Sequence, residues 1–268
     1  MNTSHFSSGT GDTGEGPVTI TRVAETHWLA VEDDREVGRG DAVRRPDGRM
    51  FVSIDAWQGA VFDRLAAAMV ADLPTPLYVV VDETDREVRA GWERAGFTTG
   101  RREREYAVPT DPRVTGLDAV RPPSSVTIVP AGEAQEDLLR VLDRAIRDEV
   151  EATVGWRTMP AEVLPRPAGV TIVDPSKYAV AELSGRYVGL IRVAPVPRRP
   201  RIGLIAVLAD ERRRGIARAL LAHSLGSLHR SGSASAWAEV DESNAAATAL
   251  FEGAGARCTG GNLELVRR

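Results

Sequence analysis

The run Arg212-Arg213-Arg214-Gly215-Ile216-Ala217 concentrates more usable chemistry than any other stretch of the sequence. Three consecutive guanidinium groups supply fixed positive charge and forked donors suited to phosphate or carboxylate oxygens. Gly215 follows, and a glycine lets a ligand approach the backbone closely. Where a helix begins, its first N–H groups lack intrahelical partners and carry positive partial charge. Cations are poorly placed at such an end unless an anion joins them. The spacing therefore points to an oxyanion site, against the plainer alternative of a solvated helix start.

The elements needed to position this run stand on either side of it. Ile202 to Ala209 is an apolar run with strand character, and Asp210-Glu211 makes the turn. Arg214 to Arg230 reads as a helix with Ala217, Leu221, Leu225 and Leu228 on one stripe. Ser235 to Val240 is a further strand and Asn244 to Ala254 a short helix.

Composition narrows the partners. The chain has 268 residues, 43% of them hydrophobic, and a formal net charge of −4. That balance gives no case for nucleic acid as a partner, and no apolar run reaches membrane-spanning length. The single cysteine, Cys258, excludes an intrachain disulfide and a cysteine-cluster metal site. His5, His27, His223 and His229 lack metal-ligand spacing. Met1 to Pro17, rich in Ser, Thr and Gly, reads as a disordered tail without the pattern of an export signal. A cytoplasmic protein, monomeric or homodimeric, is the expectation.

Two regions of mixed α and β character flank a proline-rich segment. Residues 18–110 alternate strands with helices over Trp57 to Leu73 and Arg86 to Ala95, and close on a strand over Arg101 to Val108. Residues 111–125 hold Pro112, Pro122 and Pro123 without periodicity and read as a linker. The order of elements restarts over 126–268: a strand from Val126, a helix over Glu133 to Val150, and an irregular stretch Glu151 to Pro167. A hairpin through Ser184-Gly185 follows, then the strand–turn–helix above and a last strand, Asn262 to Val266.

The two regions share a signature. Val81-Asp82-Glu83-Thr84-Asp85 lines up with Val240-Asp241-Glu242-Ser243-Asn244, and the same spacing pairs Ala90 with Ala249, Glu93 with Glu252 and Gly96 with Gly255. An internal duplication accounts for this. Nothing in the first region matches the arginine run, so one anion site per chain is expected.

Arg212-x-x-Gly215-x-Ala217 after an apolar strand resembles the acetyl-CoA pyrophosphate loop of the GNAT acetyltransferase superfamily. Asn244, Ala247, Leu250, Phe251 and Gly255 also fall on the pattern that follows that family's fifth strand. The segment Trp237-Ala238-Glu239-Val240 to Ser243-Asn244-Ala245-Ala246 resembles the ribosomal-protein N-terminal acetyltransferases. The likeness covers about Val126 to Arg268. The first region looks like a degenerate second copy. The implied fold is α/β with a mixed sheet, in two tandem GNAT-like domains.

The resemblance implies acetyl-CoA as cofactor. Backbone N–H groups from Arg213 to Arg218, with Arg212, Gly215, Ile216 and Ala217, would hold the pyrophosphate. The pantetheine arm would lie beside Ile205 and Val207, with the Val207 N–H as oxyanion donor. Asn244 would bond that arm, a role compatible with capping the helix it begins. Glu239 matches in place the catalytic glutamate of the ribosomal-protein enzymes and is the expected general base, although it also fits an exposed position of an alternating strand. Glu182 and Glu151 are its rivals. Phe251 stands beside the cofactor where the family usually has a tyrosine acid, so Ser243, Tyr178 or water would replace that acid. Trp156 lies in the segment that lines the acceptor site in GNAT folds. His223 reads as a surface or core-edge residue, and Trp28, Trp57, Trp92 and Trp237 as packing residues.

Three functions follow. The first is acetyl transfer to a primary amine of a small molecule. The second is acyl-CoA binding without catalysis. The third is acetylation of a protein N-terminus or lysine.

Overall fold

A computed structural model describes residues 17–45, 47–153, 155 and 173–268. Two compact units form. The first ends at Arg102 and takes back Gly260–Arg268; the second is Glu103–Thr259.

The first unit begins with an antiparallel meander: β1 (Thr19–Ala24), β2 (His27–Glu32), β3 (Arg35–Arg44) and β4 (Met50–Ala56). Helix α1 (Gly59–Asp72) follows, burying Val61, Phe62, Leu65 and Met69. Strand β5 (Leu77–Asp82) then runs parallel to β4, but only Met50↔Leu77 and Phe51↔Tyr78 pair. After α2 (Arg86–Arg94) the chain enters the long strand β6 (Thr98–Pro109). Trp92 sits edge-on to both Phe62 and Phe97 and anchors this core. Trp57 is 65% exposed at the foot of α1, so the packing role expected for it does not hold.

The second unit holds the short helix α3 (Pro112–Thr115), β7 (Val126–Val129), α4 (Glu136–Thr153), β8 (Tyr178–Leu183), β9 (Arg186–Ala194) and β10 (Arg201–Val207). It continues through α5 (Ile216–Arg230), β11 (Ser235–Asp241), α6 (Ala245–Glu252) and the first residues of β12 (Arg257–Arg267). Strands β7 to β10 pair antiparallel in chain order, and α5 packs across β7 to β11.

Each unit completes its sheet with a strand that begins in the other. Asn262 to Arg267 of β12 pair antiparallel with Asp82 to Leu77 of β5. Glu103 to Pro109 of β6 pair antiparallel with Asp241 to Ser235 of β11. The units accordingly divide inside β6 and β12, whereas the sequence suggested a division at the proline-rich segment 111–125. That segment belongs to the second unit, where the Asp111 side chain accepts a bond from the Arg113 N–H at 2.9 Å and starts α3.

The duplicated signature forms the same local structure twice. Asp82 Oδ1 accepts from the Thr84 N–H at 2.8 Å, and Asp241 Oδ1 from the Ser243 N–H at 2.9 Å. Asp85 caps α2 through the Val88 N–H and Asn244 caps α6 through the Ala247 N–H, each at 3.0 Å.

Candidate active site

Strand β10 runs parallel to β11 for only two residue pairs, Arg201↔Trp237 and Ile202↔Ala238. Beyond them β10 stays on β9, through Ile205↔Ile191 and Val207↔Gly189, while β11 stays on β6 through Asp241. A fork opens between the two central strands. The Leu208 N–H donates to the Val188 carbonyl of β9 at 2.9 Å. Peptide groups of successive strand residues point to opposite sides. Those of Ile205 and Val207 therefore point away from β9 and into the fork. Gly189 lets β9 and β10 approach this closely: a Cβ there would lie 3.1 Å from Val207 Cγ2 and 3.2 Å from the Ala206 carbonyl oxygen.

The arginine loop closes the foot of β10. The chain makes a short 3-10 turn over Ala209–Glu211, then takes left-handed backbone at Arg213 (φ 64) and Gly215 (φ 83). Two left-handed residues cannot continue a helix, so α5 starts at Ile216 and not at Arg214 as the residue pattern suggested. Gly215 is its N-cap and offers no side-chain bond. The first bond of the helix is Ala219 N–H to the Gly215 carbonyl at 3.0 Å, which leaves the N–H groups of Ile216, Ala217 and Arg218 ahead of it. A Cβ on Gly215 would meet nothing within 4 Å, so the backbone there faces open space. The Ile216 side chain itself lies in the core, and Ala217 packs at its edge. These features fit a diphosphate docked at the loop.

The three arginines divide their work. Arg212 donates through Nε to the Val207 carbonyl at 2.9 Å and through Nη2 to Glu149 at 2.7 Å. Glu149 also accepts the Ala209 N–H at 3.0 Å, so the end of α4 is tied to the loop. Arg214 pairs with Glu211, whose carboxylate is buried and also meets Arg186 at 3.2 Å. Arg213 and Arg218 are exposed and have no protein partner among the described residues. They are the cations available to a ligand. Glu149 escaped the sequence reading, which named Glu151; the helical position of Glu149 was the available signal. Glu151 is exposed near the end of α4.

Glu239 is the first residue of β11 beyond the fork's apex. Ala236, Ala238 and Val240 point into the core, so Trp237, Glu239 and Asp241 share the other face. The Glu239 side chain is only 12% exposed, and it accepts a bond from Arg201, itself 22% exposed. Across the β11–β6 pairing Glu239 faces Glu105. Glu105 pairs with Arg199, whose guanidinium lies 3.8 Å from the Trp237 ring centroid. Two arginine–carboxylate pairs therefore flank the apex. Neither Arg199 nor Arg201 was singled out from the sequence.

The other expected site residues are dispersed. Asn244 caps α6, using Oδ1 for the Ala247 N–H. Phe251 is 3% exposed in the core, its ring stacked 6.4 Å from that of Tyr106 on β6. Tyr106 donates to Glu252 at 3.3 Å, and burial raises its pKa. Ser243 turns its hydroxyl to Asp241. Tyr178 and Glu182 lie on β8, two strands from β10. Burial raises the Tyr178 pKa, with Arg192 opposing. The fold brings neither Tyr178 nor Glu182 to the fork. Trp156 lies outside the described residues, as does the N-terminal segment 1–16.

Residues 144–256 match the family model of the Acetyltransferase (GNAT) family. A stretch of 51 residues is 51% identical to the ribosomal protein bS18-alanine N-acetyltransferase of Escherichia coli (strain K12), covering 19% of this chain and 34% of that protein. The match thus spans about a third of the relative's length. Among solved structures, a GCN5-related N-acetyltransferase from Sphaerobacter thermophilus superposes with a TM-score of 0.61 at 18% identity, over 92% of this chain and 82% of the other. A tandem GNAT protein from the clavulanic acid biosynthesis pathway gives a TM-score of 0.62 at 15% identity, over 90% and 82%. At these identities the structural likeness establishes a shared fold. No described helix is long and apolar enough to cross a membrane.

Proposed function

We propose that this chain is an acetyl-CoA-dependent N-acetyltransferase acting on a primary amine of a small molecule, a reading supported by the match of residues 144–256 to the Acetyltransferase (GNAT) family model. The observation that carries this reading is the fork. One strand turns the Val207 peptide group into the opening, the other sets Glu239 at the apex, and the arginine loop lies at the foot.

The loop's residues would hold the cofactor. N–H groups of Ile216, Ala217 and Arg218 would face the pyrophosphate beside the cations of Arg213 and Arg218. The peptide groups of Ile205 and Val207 would pair with the pantetheine arm as a neighbouring strand would. When bound, acetyl-CoA supplies an activated acyl carbon with a thiolate as leaving group.

The chain's own residues manage charge and protons. The Glu239 carboxylate takes the proton of the acceptor ammonium, giving a neutral amine. The Val207 N–H stabilises negative charge on the acyl oxygen as the nitrogen attacks. The new bond joins nitrogen to the acyl carbon, and the bond from that carbon to sulfur breaks with its electron pair leaving on sulfur. Phe251 has no proton to give, so water protonates the thiolate.

Two further readings have specific support. The bS18-like stretch favours a protein N-terminus as acceptor. The buried Phe251 favours a chain that binds acyl-CoA without turnover. Thermal shift with acetyl-CoA and thiol release across a panel of amines test all three. Binding with release by small amines is expected. Release only with peptides favours the protein acceptor, and binding without any release favours the non-catalytic reading.

A further inference from the structure

The feature that the general reading leaves unused is the ion pair at the apex. Arg201 and Glu239 stand on the two strands of the fork, Arg201 at the first of the two paired positions of β10 and Glu239 just past the last paired position of β11. Their side chains are 22% and 12% exposed and bonded to each other. The neighbouring pair, Arg199 with Glu105, lies alongside, with Arg199 over the Trp237 ring.

A general base must meet its amine directly or through water. Here the carboxylate is already bonded to a guanidinium. An acceptor ammonium that engages Glu239 displaces the Arg201 contact, and a charge-assisted bond between half-buried groups is lost. An acceptor carrying only an amine does not replace that loss on the arginine side. An acceptor carrying an anionic group a few bonds from its amine replaces both halves of the pair. Its ammonium takes Glu239, and its carboxylate takes the planar fork of Arg201, a geometry that guanidinium recognises in two parallel bonds. Because the incoming molecule is neutral overall, the net charge of the site does not change.

We propose that the acceptor is a zwitterion of the amino-acid type, an amine with a neighbouring carboxylate, and that Arg201 is the residue that selects it. The proposal rests on the acetyltransferase reading above and narrows its acceptor class.

The same exchange accounts for release. Glu239 takes the ammonium proton, the nitrogen becomes an amide nitrogen, and the thiolate departs with the electron pair of the broken carbon–sulfur bond. The product then carries only its carboxylate and no longer offers Glu239 a cation. Once Glu239 returns its proton to water, Arg201 and Glu239 pair again, and the singly charged product loses its place to that internal bond. A peptide N-terminus differs at the decisive point, because the group next to its amine is an amide without charge.

The test uses the full chain with acetyl-CoA and free-thiol detection. The acceptor panel holds the common amino acids, the carboxamide of each and the matching decarboxylated amine. For the preferred side chain, kcat/KM is expected to be about tenfold or more above that of the carboxamide and the amine, the factor that one good charge-assisted bond represents. Arg201→Met is expected to abolish the preference, so that acid and carboxamide are turned over at the same level in the variant. Carboxamides or peptides turned over as well as the acids by the wild-type protein would overturn the zwitterion proposal and leave acetyl transfer standing. So would a preference for acids that survives in Arg201→Met. Tight acetyl-CoA binding with no thiol release from any member would overturn the transferase reading itself, and this proposal with it. The wild-type panel decides the matter even where the variant folds poorly.

Discussion

Gly215 offers a way to separate backbone strain from ligand electrostatics at one position. Its φ of 83° is left-handed, and a Cβ added there would meet no atom within 4 Å. Gly215→Ala therefore adds strain without a clash, about 1–2 kcal/mol for an L residue in that region. For a chain of this size that lowers Tm by a few degrees, at about 2–4 °C per kcal/mol. Gly215→Glu carries the same strain and adds one negative charge beside the first N–H groups of α5. With a carboxylate about 5 Å from a phosphate and an effective dielectric near 20, repulsion is about 3 kcal/mol, roughly a hundredfold in Kd. The extra length of the side chain adds to that loss. Isothermal titration with acetyl-CoA at fixed ionic strength, alongside thermal melts, reads both quantities. The expected pattern is similar Tm values for the two variants, near-normal affinity for Ala, and loss of about two decades or more for Glu. Unchanged affinity in Gly215→Glu would remove the loop from the cofactor site. An Ala variant that loses as much affinity as the Glu variant would refute the electrostatic argument and leave loop conformation as the cause.

Other outcomes follow from residues already described. Glu239→Gln should lower kcat by about 10²–10⁴-fold, the usual range for a general base, with acetyl-CoA affinity nearly unchanged by titration; wild-type rates across pH would exclude Glu239 as the base. Gly189→Ala should push β9 from β10, because its Cβ would stand 3.1 Å from Val207 Cγ2 and 3.3 Å from Leu220 Cδ1. A stability loss of about 1–3 kcal/mol is expected, together with weaker acetyl-CoA binding; an unaltered melt and an unaltered Kd would show that β10 is not held by this contact. Burial, with Arg230 nearby, lowers the pKa of His223. The unfolded chain takes up that proton near pH 6.5 and the folded chain only at lower pH, so stability present above about pH 6.5 is lost as pH falls through it. His223→Gln should flatten the decline of Tm between about pH 7 and pH 5, and an identical decline in both proteins would assign the acid sensitivity elsewhere.

What could be read from the residues in order was the local structure. The apolar run into Val207, the glycine after three arginines and the capping residues Asp85 and Asn244 each act within a few positions of themselves, and each stands where its chemistry requires. The start of α5 moved because Arg213 and Gly215 are left-handed, and α4 runs three residues later at both ends than the expected Glu133 to Val150. Contacts across the fold were not legible in the same way. The bond from Arg201 to Glu239 spans 38 positions, and that from Arg212 to Glu149 spans 63. Nothing periodic in a chain announces such pairs, because they are set by which strand lies beside which. Trp57 misled for a related reason. It follows the rhythm of the elements around it but falls in the short connection before α1, where no neighbour covers it. The duplicated Asp-x-Ser/Thr-Asn/Asp signature proved to be a turn and a cap, complete in the unit that lacks the arginine loop.

Strands β6 and β12 each cross from one unit into the other. The strand that carries Glu239 pairs with residues 103–109 of β6, which belong to the same unit although β6 itself begins in the other. In the first unit, β5 pairs with residues 262–267 of β12. Cutting the chain at the proline-rich segment 111–125 would therefore strip the backbone partner, residues 103–109, from the strand bearing the expected base.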